Sequence, residues 1–335
     1  MAILEVVAGS TKAPLVINRI VGDAVISYGF DEEILNPQTL VDVLENAYVV
    51  YRRALEQMVL NTTCRCNACA NLSSLDLKFI VHHGEFSIRE MAGNMELIGP
   101  DVNLVFRLAK NTIKERLGIG AYIAYSDSAT DALGLDGFVS SLQTLIEDVD
   151  DFAQITIHVA DMHQIWDRRR YESLVSIPDS DVMLSFTRDI HAPVGVVWDH
   201  LTDPAKRARL FLSEPGGTTP ADGGMMGEGA AYVCAHGKYR VPHRIVDWIP
   251  LRQYTFESEN PYFLNLWQLR LSDLGDITRL DITVGKSRSS LTKRVLMGLP
   301  WKRYTRHTTI KGLDEFTADV EERGTMSVAG HSNMS

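Results

Sequence analysis

Cysteine is scarce and unevenly placed: the 335 residues hold four, Cys64, Cys66, Cys69 and Cys234. Three within six positions do not make a disulfide framework, so a reducing compartment is the expectation. Long apolar runs are missing as well. No window approaches the roughly 18 uninterrupted apolar residues of a membrane helix. The opening MAILEVVAGSTKAPLV lacks the basic segment that precedes the apolar run of a secretory leader. Both absences point to the cytoplasm. Basic excess is missing too: 33 Lys+Arg against 43 Asp+Glu leave a formal charge of −10. Nucleic acid is therefore excluded as the main partner, because phosphate binding needs a clustered basic face. What remains is an ordinary globular composition, 45% apolar and 23% charged, with length for two domains.

The two halves differ in rhythm. In the first, LVINRIVGDAVISY (15–28) sets two β-rich runs around Gly22-Asp23 and predicts a hairpin. Asn36-Pro37 predicts a helix start, with Asn as cap and Pro at the first position. Leu40, Leu44, Ala47, Tyr48, Tyr51, Leu55 and Met58 then recur at three and four, which predicts one buried face. Leu75 to Val81 alternate as a strand. Gly84 to Asn94 read as a second hairpin, Pro100 opens a helix that runs past Ile113, and 121–126 are a short strand. Charge runs at 147–151 and 167–170 flank ITIHVAD and read as solvated faces of a connector.

The second half predicts a strand at 182–190 and two short helices at 194–201 and 204–211. A flexible segment at 215–229 reads as a lid or a plain loop. Five strands follow, within 230–236, 243–249, 253–258, 264–271 and 278–284. A long helix over 289–322 comes last. An antiparallel sheet in this order curls, and the helix covers its concave face. The expected division is 1–146, a connector 147–180, 181–322 and a disordered tail 323–335, in an α+β chain.

Three groups of residues carry chemistry. Asp23 at a hairpin tip can hold Mg²⁺, which favours carboxylate and phosphate oxygens. Asn103 and Arg107 lie four apart and share one helix face, where an amide and a guanidinium can orient a ribose and neutralise phosphate charge. The same residues would equally make a turn and a solvated stripe. INRIVGDAVISY and LIGPDVNLVFRL resemble the Gly-Asp hairpin and the G-x-x-V-N-x-x-x-R helix of class III nucleotidyl cyclases. The order CRCNAC, VHHGE, IGPDV is similar to a bacterial branch of that superfamily, over roughly residues 1–130. The resemblance implies a ferredoxin-like domain. In it Asp23 is a metal ligand for Mg²⁺ or Mn²⁺, Asn103 and Arg107 are catalytic, and Arg19 and Glu96 select the purine. It also implies a homodimer. Arg19 and Glu96 are longer than the usual Lys and Asp, which leaves ATP and GTP both open. The family's first strand, which brings a second metal Asp, has no counterpart before Ala13. A degenerate cyclase and an active one starting upstream of Met1 are both compatible with that.

Cys64-x-Cys66-x-x-Cys69 suits Zn²⁺ with a fourth ligand, for which His82 and His83 are candidates, or three reduced structural thiols. In the second half, LSFTRDIHAPVGVVWDHLTDPAKRARLFL and RIVDWIPLRQYTFES resemble the START-like, polyketide-cyclase superfamily, over roughly 181–322. The resemblance implies a helix-grip fold around a cavity for a lipid or another apolar molecule. Candidate lining residues are Trp198, Phe211, Tyr232, Tyr254, Phe256, Trp267, Met297 and Trp301, each of which would also serve as core. His236, His243 and Arg244 are the polar candidates inside it. The expected function is ligand-responsive regulation. An active adenylyl-type cyclase and a metabolite cyclase or carrier are the alternatives.

Overall fold

A computed structural model describes residues 2–11, 15–31, 36–61, 71–91, 93–149, 152–170, 175–221, 225–260, 263–287 and 291–332. The chain divides into two compact units, Met1–Glu172 and Ser173–Ser335.

In the first unit, helix α1 (Ala2–Ser10) precedes strands β1 (Val16–Val21) and β2 (Ala24–Tyr28). Gly22 turns this hairpin with φ +61°, a left-handed conformation open to glycine. Helix α2 (Pro37–Asn61) starts where expected: Asn36 Oδ1 accepts the Gln38 N–H at 3.0 Å. Its Leu40, Leu44, Ala47, Tyr48, Tyr51 and Leu55 are all buried, whereas Met58 is exposed near the end.

Strand β3 (Lys78–Val81) is followed by the hairpin β4 (Ser87–Met91) and β5 (Asn94–Ile98). Helix α3 (Pro100–Leu108) stops before Ile113, which begins a separate α4 (Ile113–Leu117). The break is local: Asn111 turns its side chain onto the Leu108 carbonyl at 2.7 Å, and its Oδ1 accepts the Ile113 N–H at 3.1 Å. Then come β6 (Tyr122–Ser126), α5 (Asp127–Leu133), α6 (Asp136–Val139), β7 (Gln143–Asp148), β8 (Gln154–Asp161) and α7 (Met162–Arg169).

The strands described here form three sheets, not one ferredoxin-like sheet: the hairpin β1–β2, the hairpin β4–β5, and a four-stranded sheet ordered β3-β6-β8-β7. The stretch expected to connect two domains supplies β8, which is paired on both sides. The charge runs beside it are not simply solvated faces: Glu147 on β7 is buried and accepts from the Thr112 N–H at 2.8 Å, and Arg169 at the end of α7 is buried too. Leu104, Leu108, Ile113, Tyr122, Leu145, Ile157 and Val159 form a core, each large apolar side chain worth roughly 1.5–3 kcal/mol when fully buried.

Among the described residues the second unit is a single seven-stranded antiparallel sheet with three α-helices. Strand β9 (Val182–Ile190) leads to α8 (Val194–Thr202) and α9 (Pro204–Leu210). Strands β10 (Glu214–Thr219), β11 (Ala231–His236), β12 (Tyr239–Ile249), β13 (Gln253–Glu259), β14 (Leu264–Asp273) and β15 (Thr278–Gly285) precede α10 (Leu291–Ser332). The order is β10-β11-β12-β13-β14-β15-β9. This is the helix-grip order of elements, with α10 buried through Leu313, Phe316 and Val320.

Two details differ from expectation. The flexible segment opens with a strand, because 214–219 pair with β11 as an edge. Helix α10 runs to Ser332, past the start of the expected tail; once begun, a helix gains a hydrogen bond with each added residue. One close approach fixes this helix. A Cβ at Gly312 would lie 2.0 Å from the Leu210 carbonyl oxygen, so a side chain there has no room.

Candidate functional site

The first unit brings part of its predicted site together. Arg19 on β1 pairs with Glu96 on β5, and Asn18 Nδ2 donates to the Met95 carbonyl at 2.8 Å. Asn103 and Arg107 both face solvent on α3, with the Arg107 guanidinium 5.8 Å from the Phe152 ring centre. Asp23 is exposed at the β1–β2 turn. Among the described residues no group of three or more His, Cys, Asp or Glu that could hold a metal ion forms, and Asp23 belongs to none.

The motif glycines have steric reasons. A Cβ at Gly84 would meet the Asp101 carboxyl carbon at 2.3 Å, and one at Gly99 would meet the Glu85 carbonyl at 2.7 Å. The Glu85 N–H donates to Asp101 at 2.8 Å. VHHGE and IGPDV are thus interlocked pieces of one structure.

Cys64, Cys66 and Cys69 lie outside the described residues. Their candidate fourth ligands are engaged elsewhere. His83 Nε2 faces Asp31 at 3.1 Å. His82 Nδ1 meets Ser126 Oγ at 2.8 Å and its Nε2 meets Asp101 at 3.3 Å. This Ser–His–Asp chain is structural: Ser126 is buried and its Oγ also accepts the Ala129 N–H, capping α5.

The second unit contains a cavity of about 320 Å³ between the concave sheet face and α10. Phe211, Trp267 and Trp301 line it, with His236, Val241, His243 and Ser258 from the strands and Thr305, Thr308 and Thr309 from the helix. The other aromatic candidates lie behind this wall. Trp198 is fully buried against Trp248 and Tyr254, with ring centres 5.0 and 6.0 Å away. Tyr232 gives its hydroxyl to the Thr202 carbonyl at 2.7 Å, and Phe256 stacks between His243 and Trp267. The side chain of Met297 lies outside the described residues. Strand alternation turns Arg244 to the exposed face, opposite His243. None of the described residues of 215–229 lines the cavity. Ala221 and Met226 instead pack on Ala230, Tyr232 and Ile245.

Sequence reading missed the group behind the wall. Arg207 on α9 is 1% exposed. Its NH2 donates to His243 Nδ1 at 2.8 Å, its Nε donates to the Tyr254 hydroxyl at 3.2 Å, and its NH1 faces Cys234 Sγ at 3.6 Å. Burial holds the His243 pKa well below the ordinary histidine value, helped by the Arg207 charge and by His236. His236 is lowered by burial alone. Both imidazoles are therefore neutral near pH 7. The signal available in sequence was the run Tyr232, Cys234, His236, with His243 and Tyr254 at inward positions of neighbouring strands. Those polar tips need a partner.

The family model for "Protein of unknown function (DUF2652)" matches residues 1–116. The "Uncharacterized protein Rv2561/Rv2562" of Mycobacterium tuberculosis is 30% identical over 113 residues, 33% of this chain and 50% of that protein. The match thus spans about half the length of this curated relative. Among solved structures, CalU16 of Micromonospora echinospora is 22% identical with TM-score 0.28, covering 43% of this chain and 87% of its own. A protein of Arthrobacter aurescens is 17% identical with TM-score 0.34, covering 45% and 93%. The Aha1 dimer of Colwellia psychrerythraea is 10% identical with TM-score 0.30, covering 42% and 94%. At these scores the likeness says nothing about ligand or assembly. No helix among the described residues is long and apolar enough to cross a membrane.

Proposed function

We propose that this chain is a ligand-responsive protein whose second unit binds an apolar small molecule and whose first unit is a nucleotidyl cyclase-like module for a purine nucleotide. The observation that carries the reading is the cavity under α10, with five large aromatic side chains on its wall, Phe211, Tyr239, Trp267, Trp301 and Tyr304, and no Asp, Glu, Lys or Arg among the described residues that line it. Such a surface gains from covering by an apolar ligand. The test is fluorescence titration of the full chain with N-phenyl-1-naphthylamine, a neutral apolar dye. Saturable binding that weakens in Trp267→Ala and Phe211→Ala supports the reading, and no saturable binding overturns it.

For the first unit the supporting observation is the pairing of Arg19 with Glu96, on separate hairpins, next to a helix that carries Asn103 and Arg107 on one face. The pair would read a purine edge, and Asn103 and Arg107 would hold ribose and phosphate. Mg²⁺ or Mn²⁺ would need Asp23 and a second carboxylate beside it; among the described residues Asp23 belongs to no group of three or more possible metal ligands. The role proposed for this unit is nucleotide binding. Titration with ATP and GTP in Mg²⁺ tests this. Loss of binding in Arg107→Ala and altered preference in Glu96→Gln are expected, and no binding of either nucleotide rejects it. A homodimer through this unit belongs to the same proposal and is checked by sedimentation.

A further inference from the structure

Arg207 carries a full charge behind the cavity wall, and no acid among the described residues matches it. Its neighbours in sequence show the usual solution: Lys206 pairs with Asp199 and Arg209 with Asp319. Arg207 has no carboxylate within ion-pairing distance among the described residues. Its surroundings are ring faces, with the guanidinium carbon 4.4 Å from the centre of Tyr232, 4.5 Å from Phe211 and 5.1 Å from Phe256. A guanidinium does not give up its proton inside a protein, so the charge stays. Ring faces and neutral acceptors offset only part of the cost of taking such an ion out of water.

His243 carries that charge to the cavity. Arginine only donates, so His243 Nδ1 must accept at 2.8 Å. The single proton of the neutral ring then sits on Nε2. His243 lines the cavity, and its Nε2 has no protein partner among the described residues. The ring is held by Phe256, stacked at 4.5 Å, and by the edge of Phe211 at 4.9 Å. The result is a fixed N–H donor with a positive charge directly behind it. The other polar groups on the wall are the neutral His236, hydroxyls of Ser258, Tyr239, Tyr304, Thr305, Thr308 and Thr309, and the amide of Asn260. Among the described lining residues a negative charge on a ligand therefore meets donors and no acid.

We infer that the cavity takes an apolar molecule bearing an anionic oxygen, which docks on His243 Nε2 and is balanced by Arg207, while its apolar body lies on Phe211, Trp267 and Trp301. This rests on the reading of the cavity as a binding site and adds the ligand's charge.

The test compares two dyes of one ring system on the full chain, 8-anilino-1-naphthalenesulfonate and neutral N-phenyl-1-naphthylamine, which differ by a sulfonate. The sulfonate should bind at least about tenfold more tightly, the usual scale of one charge-assisted hydrogen bond. Arg207→Met and His243→Phe should each bring the two affinities together. His243→Gln, whose amide accepts with oxygen and donates with nitrogen, should keep a preference for the anion. If the neutral dye binds equally well or better, the charge is wrong and the cavity reading stands. If the preference survives His243→Phe, the anion sits elsewhere and the inference fails. If neither dye binds, both fall. Should Arg207→Met not fold, the two His243 variants decide alone.

Discussion

The two units place polar residues in opposite ways. In the first, Arg19, Glu96, Asn103, Arg107 and Asp23 stand on exposed edges of separate small sheets and one short helix. In the second, Arg207, His243, Cys234 and Tyr254 are buried under a continuous sheet. Exposed polar groups cost little to keep, so their placement says only that they are available. A buried cation costs a great deal, so its persistence argues that something balances it. The same residue type thus carries more functional weight in the second unit.

The largest effect that would sharpen this contrast lies in backbone contact. Gly312→Val drives a side chain into the Leu210 carbonyl, and overpacking there should cost about 3 kcal/mol, read by urea denaturation of the full chain. In the first unit, Gly84→Ala meets a side-chain carboxylate instead, which can rotate away. It should cost about 1–2 kcal/mol, and an equal loss at both positions would break the contrast.

Acid should separate the units next. His243 and His200 are buried, and burial lowers both pKa values; at His200 the bond to Val196 and the nearby Asp199 and Asp319 oppose it, and Lys206 adds to it. In the unfolded chain they take protons at ordinary values, so the unfolded state binds more protons below about pH 6.5. Stability of the second unit is complete above that pH and falls as pH drops toward the lowered folded values. The slope should be about 1–3 kcal/mol per pH unit for the two together. Denaturation followed by tryptophan fluorescence from pH 8 to 5 reads this, and a flat profile would contradict it. His243→Gln should flatten the slope.

The smallest effect belongs to the Arg19–Glu96 pair. Its side chains are 41% and 22% exposed, so Arg19→Ala should change stability by less than about 1 kcal/mol. A larger loss would mean that this pair holds two hairpins together as well as facing solvent.

Much of the architecture was legible because it rests on local chemistry. Asn36-Pro37 caps a helix through its own side chain, Gly22-Asp23 turns a hairpin, and β12 alternates buried with exposed residues along its first half. What escaped was decided by distant partners. ITIHVAD looked like a connector because of the charges around it, yet β6 and β7 were waiting on either side. In sequence Arg207 is one of three basic residues in PAKRARL, with nothing to set it apart. Only the fold shows that it turns under the sheet while Lys206 and Arg209 find acids. Likewise Tyr232, Tyr254 and Phe256 share the aromatic character of Phe211 and Trp267, and only sheet curvature puts them behind the wall.

Gly312 has a mechanical consequence. The long helix rests there directly on the backbone end of α9, which makes the contact a fulcrum. Trp301 lies eleven residues away, about 16 Å along the helix at 1.5 Å per residue. A tilt of about 6° at Gly312 would therefore swing Trp301 by roughly 1.7 Å. Trp301, on the cavity wall, is thus at the far end of a lever whose pivot is a backbone contact.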